Sequence, residues 1–209
     1  LHVDGSYGAL AAKSPHLDGA MHALGRADSL SLDPHKWLYA PLDVGCLLVR
    51  RATALRQAFS EGADYIDVVA DREMSDFAYW DHSPELSRRF RALKIWFILK
   101  VHGAAALRDA IDRNIDAARH LARLIEASTD FELAAPAPMS IVCFRYAGAD
   151  EAFHKRLMVE VQRDGDAYLS NATIDGRFAL RACVVNFRTA REDVERLLNT
   201  IRRVAARLA

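Results

Sequence analysis

The strongest periodicity lies in the second half of the chain. Val194, Leu197, Leu198, Ile201, Val204 and Leu208 recur at spacings of three and four with Arg and Glu opposite, which predicts an amphipathic closing helix. Leu107, Ile111, Ile115, Ala118, Leu121 and Leu124 repeat that spacing within a helical pattern that starts near Leu86. Between them the period falls to two. Phe178, Leu180, Ala182 and Val184 alternate on one face of a strand over 178–187, and 139–146 reads as another strand. A helix from about 150 to 163 separates these strands. Helix–strand–helix–strand–helix over 95–209 predicts a compact α+β domain.

The first fifty residues carry shorter elements. Strands are expected over 1–4, 28–32 and 46–49, with a helical turn or two over 16–25. Short buried strands joined by helix-length connections predict an α/β layer with some parallel pairing. Residues 60–85 hold many charges, Gly62 and Pro84, and no clean period. A loop of that length in a compact protein is usually functional or disordered.

Composition narrows the classes. With 209 residues and 51% hydrophobic content the chain can bury a real core. Lys+Arg and Asp+Glu are both 28, so the formal net charge of +0 argues against nucleic acid or an anionic membrane as a general partner. Cys46, Cys143 and Cys183 are odd in number, far apart and set in apolar runs. That argues against a disulfide framework or a zinc knuckle and suits a reducing cytoplasm. No run approaches the roughly 20 apolar residues of a membrane span, and no signal peptide is visible. The chain lacks an initiator Met and opens inside a strand-like segment, as expected of a piece of a longer chain.

The candidate chemistry sits near the start. In Asp33-Pro34-His35-Lys36-Trp37, Pro34 stiffens a turn after a strand and Trp37 shields an amine from water, the setting in which a lysine captures an aldehyde. Asp4 closes the first strand, where α/β sheets place ligand groups. A carboxylate there can keep a pyridine nitrogen protonated. Taken singly, Lys36 reads as a surface lysine in a Pro turn and Asp4 as a turn or cap residue. Their separation, about a strand, a helix and a second strand, makes the pair informative.

Four blocks carry a family resemblance: His2–Gly8 (His-Val-Asp-Gly-Ser-Tyr-Gly), Arg26–Trp37, Ser87–Lys94 (Ser-Arg-Arg-Phe-Arg-Ala-Leu-Lys) and Leu180–Thr189. With them the chain resembles the pyridoxal 5'-phosphate (PLP) dependent amino-acid decarboxylases of the aromatic-L-amino-acid and histidine decarboxylase family. The resemblance implies an α/β fold. Residues 1–94 would be the C-terminal portion of a fold-type-I PLP-binding large domain, with a mobile catalytic loop at about 60–85. Residues 95–209 would form the smaller α+β domain. It implies a cytoplasmic homodimer that releases carbon dioxide from a small-molecule substrate, an L-amino acid, with aromatic side chains first and histidine or small acidic ones behind.

By the same carry-over, Lys36 forms a Schiff base with PLP, Asp4 partners the ring nitrogen, and His35 lies beside the cofactor. Tyr65 returns a proton to the substrate Cα; relatives that make aldehydes carry Phe there. Asp33 lies near the phosphate, where many relatives have Asn; a carboxylate would repel that group, so its role is expected through capping the turn. Ser6 stands against the ring where relatives often have Ala, and Ser87 shapes the substrate pocket across the dimer interface. The family's phosphate-binding serine cluster and ring-stacking histidine precede the Asp4 strand, and this chain does not contain them. Two other readings remain: PLP-dependent aldehyde synthesis or another lyase step, and a non-catalytic module for dimerisation or interaction.

Other groups carry less. His16 and His22 lack further ligands at metal spacing, so no metal site is expected. Ser29 and Ser31 alternate along a strand without a nucleophile-elbow context. Arg88, Arg89 and Arg91 read as ion-pairing residues at domain or dimer boundaries.

Overall fold

The computed structural model describes residues 1–60 and 78–208. They form two compact units, Leu1–Leu10 with Ala20–Val101, and Ala11–Gly19 with His102–Ala209. The expected boundary at 94/95 lies ahead of this division, inside a helix.

In the first unit, β1 (His2–Asp4) runs parallel to β2 (Ser29–Leu32), and β2 pairs antiparallel with β3 (Cys46–Val49). α1 (Asp18–Met21) and a 3-10 turn at His22–Arg26 precede β2. α2 (Pro34–Trp37) follows it at once, and α3 (Ala54–Phe59) follows β3. The parallel pairing has one consequence for chemistry: the carboxyl ends of β1 and β2 emerge on the same edge.

Two contacts hold that edge. A Cβ at Gly5 would lie 2.5 Å from the Ala9 Cβ, 2.6 Å from the Leu30 Cδ1 and 2.9 Å from the Ser31 carbonyl oxygen, so only glycine permits this approach of the β1 turn to β2. Trp37 is fully buried and stacks on Tyr7 with ring centroids 4.9 Å apart, pinning the end of α2 against the turn after β1.

α4 (Ala92–Glu126) is broken at Gly103, whose φ of 76° and ψ of 157° are not helical. It begins later than the pattern from Leu86 predicts. Residues 83–91 stay irregular because Arg91 is tied to Glu85 and Asp43 by hydrogen bonds at 2.9 and 3.0 Å.

The second unit is an antiparallel sheet in the order β4 (Phe131–Leu133), β5 (Ile141–Tyr146), β7 (Arg177–Cys183), β6 (Ser170–Ile174). α5 (Glu151–Asp164) and α6 (Arg191–Leu208) belong to it, with the part of α4 after Gly103. Phe144, Leu121, Ile125, Leu157, Leu180 and Ile201 form its core. Asp150 caps α5 by accepting from the Phe153 amide at 2.7 Å. Ala11–Gly19 is fastened by side chains: Ser14 Oγ donates to Asp112 Oδ1 at 2.5 Å, and Arg119 donates to His16 Nδ1 at 2.7 Å.

Two strands go beyond the periodicity. β4 is too short to alternate convincingly, and β6 reads Ser-Asn-Ala-Thr-Ile, with one large apolar residue. The signal for β6 lay in its turn. Asp175 and Gly176 take φ of 53° and 72° between the paired residues Ile174 and Arg177, a two-residue hairpin that favours Asp-Gly. The strand expected over 178–187 ends at Cys183.

Candidate functional site

The expected residues Asp4, Ser6, Asp33, His35 and Lys36 all belong to the shared carboxyl edge of β1 and β2 in the first unit. Asp33 N–H donates to the Ser6 carbonyl at 3.2 Å, joining the two strand ends directly.

Asp4 is the best-organised group. Its Oδ1 accepts from the Ser6 amide at 3.0 Å, from the Ser6 hydroxyl, and from the Ser31 hydroxyl at 3.1 Å. Asp4 and Ser31 are register partners across the parallel pair. The Ser6 hydroxyl first, then its amide and the Ser31 hydroxyl, hold the Asp4 carboxyl below the usual carboxylate range, and the Lys36 charge acts in the same direction.

Lys36 Nζ pairs with Asp33 Oδ2 at 2.9 Å, and its side chain is 40% exposed. The amine is therefore reachable and held at one carboxylate. Asp33 occupies the N-cap position of α2 without a capping hydrogen bond from its side chain. Its backbone carbonyl accepts from the Lys36 amide at 2.9 Å instead, so the capping expected of Asp33 is done by the main chain while the carboxylate serves Lys36.

His35 Nδ1–H donates to the Val44 carbonyl at 2.7 Å, which turns Nε2 to the other side of the ring, 3.9 Å from Asp33 Oδ2. The 41–43 segment just before Val44 is clamped in turn. Lys94 Nζ donates to the carbonyls of Leu42 and Asp43 at 2.9 and 3.1 Å and to that of Pro41 at 3.4 Å. Lys94 closes a family block that implies no such role for it, and Ser31 carries no role in the sequence pattern. A hydroxyl one strand away and in register with Asp4 was the available signal for Ser31; nothing in the sequence pointed to the carbonyl clamp.

Ser87 is exposed in the irregular stretch before α4. The arginines around it are ion-paired: Arg88 lies 3.5 Å from Glu85, Arg89 lies 3.6 Å from Asp43, and Arg91 meets both acids. Tyr65 lies outside the described residues.

The donor set suits PLP. A reachable primary amine matches an aldehyde, and a carboxylate held anionic matches a protonated ring nitrogen. The two sit at the carboxyl ends of adjacent parallel strands, the usual ligand edge of an α/β sheet.

Comparison with known proteins gives the family. Residues 1–147 match the family model described as the pyridoxal-dependent decarboxylase conserved domain. An aromatic-L-amino-acid decarboxylase of Bacillus atrophaeus is 38% identical over 98% of this chain and 44% of its own length. A phenylacetaldehyde synthase of Petunia hybrida is 31% identical over 88% of this chain and 39% of its own. The crystal structure of Oryza sativa TDC with PLP and tryptamine superposes with a TM-score of 0.88 at 27% identity, covering 99% of this chain and 44% of that one. This chain thus spans less than half the length of the relatives it matches. It belongs to the pyridoxal-dependent decarboxylase family, on a fold shared with PLP-dependent decarboxylases of known structure.

Proposed function

We propose that this chain carries the lysine and the ring-nitrogen carboxylate of a PLP-dependent carboxy-lyase, which converts an L-amino acid, aromatic in the first instance, to its amine and carbon dioxide. The observation that carries the reading is the placing of Lys36 and Asp4 at one strand edge, in a chain whose family is pyridoxal-dependent. When bound, PLP supplies the electron sink that accepts the pair left on Cα as carbon dioxide departs.

Each residue has a distinct task. Lys36 Nζ anchors the cofactor, with Asp33 as its charge partner. Asp4 stays anionic and holds the proton at the ring nitrogen. His35, turned by Val44, presents Nε2 beside the cofactor. Trp37, packed on Tyr7, keeps the Lys36 turn rigid. Tyr65 returns the proton to Cα, sheltered from bulk water. Ser87 borders the substrate pocket of the neighbouring subunit in a cytoplasmic homodimer. Among the described residues no helix is long and apolar enough to cross a membrane.

Aldehyde synthesis is the second reading, favoured by the 31% identity to the Petunia hybrida phenylacetaldehyde synthase. Tyr65 weighs against it. The deciding measurement is carbon dioxide release from a panel of L-amino acids by the polypeptide carrying this chain, with PLP added. Release from aromatic substrates, lost together with the cofactor's visible absorbance in Lys36→Ala, supports the lyase; a retained absorbance band removes Lys36 as anchor. Tyr65→Phe is expected to divert product towards aldehyde with consumption of dioxygen, and an unchanged product profile removes Tyr65 from the mechanism.

A further inference from the structure

We infer that Ser31 is a positioning residue for the cofactor: together with Ser6 it fills one oxygen of Asp4, so that the other is presented to the ring nitrogen. The inference rests on the reading of Asp4 as the ring-nitrogen partner and assigns a role to a residue outside the expected site.

Three observations carry it. All three hydrogen bonds to Asp4 land on Oδ1, from the Ser6 amide, the Ser6 hydroxyl and the Ser31 hydroxyl. Among the described residues Oδ2 accepts none. A carboxylate so loaded has a defined rotation: one oxygen is engaged, and among the described residues the second is left to a further partner. The hydroxyls also share a face, Ser6 Oγ lying 3.4 Å from Ser31 Oγ, so they act on Asp4 as one bank of donors.

The backbone shows why Ser31 is within reach. Parallel register sets it opposite Asp4. Gly5, which has no room for a Cβ against Ala9, Leu30 and the Ser31 carbonyl, lets the turn after Asp4 lie directly on β2. Ser6 is fixed there by its carbonyl, which accepts from the Asp33 amide. One short contact thus aligns the Ser31 hydroxyl, the Ser6 donors and the Asp4 carboxylate.

The charge on Asp4 follows from the same arrangement. Donors aimed at a carboxylate favour its ionised form, and the lowered proton affinity of Asp4 agrees. Lys36, whose amine faces Asp33, acts on it in the same direction. An anionic, oriented Asp4 binds a protonated ring nitrogen; a carboxylate free to rotate does so less well.

The test is equilibrium binding of PLP to the polypeptide carrying this chain, followed by quenching of tryptophan fluorescence, alongside the analogue whose ring nitrogen is replaced by C–H. Ser31→Ala is expected to weaken PLP binding on the order of tenfold, the effect of losing one hydrogen bond to a charged group. It should leave binding of the carbocyclic analogue unchanged. Ser31→Thr, which keeps a hydroxyl on a β-branched strand residue, should restore PLP binding. An equal loss for both ligands, or no loss for either, overturns the inference. Wild-type protein that binds PLP with this selectivity yet releases no carbon dioxide would sink the decarboxylase reading and leave the Ser31 role standing.

Discussion

The two units of this protein are built on opposite terms. The second closes on itself: four antiparallel strands and the helices packed with them enclose Phe144, Leu157, Leu180 and Ile201 with almost no exposure. The first buries Trp37 and Val44 but leaves Phe90 71% and Trp96 52% exposed, with Leu47 and Leu48 of β3 also in contact with solvent. Leu93, Trp96 and Phe97 share one face of α4 at spacings of three and four. Every described residue of the candidate site lies in this less enclosed unit, where shape comes from a few local devices: the Gly5 approach, the Tyr7–Trp37 stack and the Lys94 clamp. The larger buried core lies in one unit and the candidate site in the other.

That division can be broken by mutation. Phe144→Ala should cost about 3–5 kcal/mol, the range for emptying a packed aromatic site. Trp96→Ala should stay within about 0.5 kcal/mol, as exposed positions do. Urea unfolding of this chain checks both, and comparable losses would erase the contrast. Gly5→Ala comes next. Its methyl would overlap Ala9 and Leu30, and overpacking of this kind costs about 1–3 kcal/mol. The loss should appear as weakened PLP binding with amide exchange in β5 and β7 unchanged; faster exchange in those strands would mean that the units are not independent.

Smaller effects sharpen the picture within the second unit. Gly176→Ala forces a side chain into a φ of 72° in the β6–β7 hairpin and should cost about 1 kcal/mol, read as a lower unfolding midpoint. Asp130, bonded to Arg202 at 2.6 and 3.1 Å, has its carboxyl pKa lowered chiefly by that arginine. A carboxyl with a lowered folded-state pKa stabilises above its ordinary value of 3.8 and loses that contribution as pH falls through the folded value. Asp130→Asn should therefore cost about 0.5–1 kcal/mol at neutral pH, the scale of a partly exposed pair. The difference from wild type should shrink on acidification below about pH 4; a gap that persists at pH 2 would show that charge is not its cause.

Much of this was legible from particular residues. The heptad-like repeat of Val194 to Leu208 marked α6, since one apolar face is enough to specify a helix. The alternation of Phe178, Leu180 and Ala182 marked β7 for the corresponding reason in a strand. β6 was not legible by pattern, because Ser170–Ile174 gains its place from pairing with β7 and from the Asp175-Gly176 turn. Within the candidate site, Lys36 and Asp4 stand out in the sequence because the proposed chemistry needs those residue types. Ser31 was not, because its role depends on standing opposite Asp4 across a parallel pair.

The sequence by itself determined the amine, the carboxylate, and the helices and strands with strong periodicity. These are properties of residue type and local spacing. Tertiary structure alone decided that β1 and β2 run parallel, so that their carboxyl ends meet on one edge. It also decided that three donors load a single oxygen of Asp4, that the Asp33 carboxylate turns to Lys36 and not to the helix end, and that Lys94 closes on three carbonyls. Each of those depends on groups far apart in the chain reaching hydrogen-bond distance. Only the packed backbone brings them there, because a hydrogen bond is sensitive to a few tenths of an ångström and to direction.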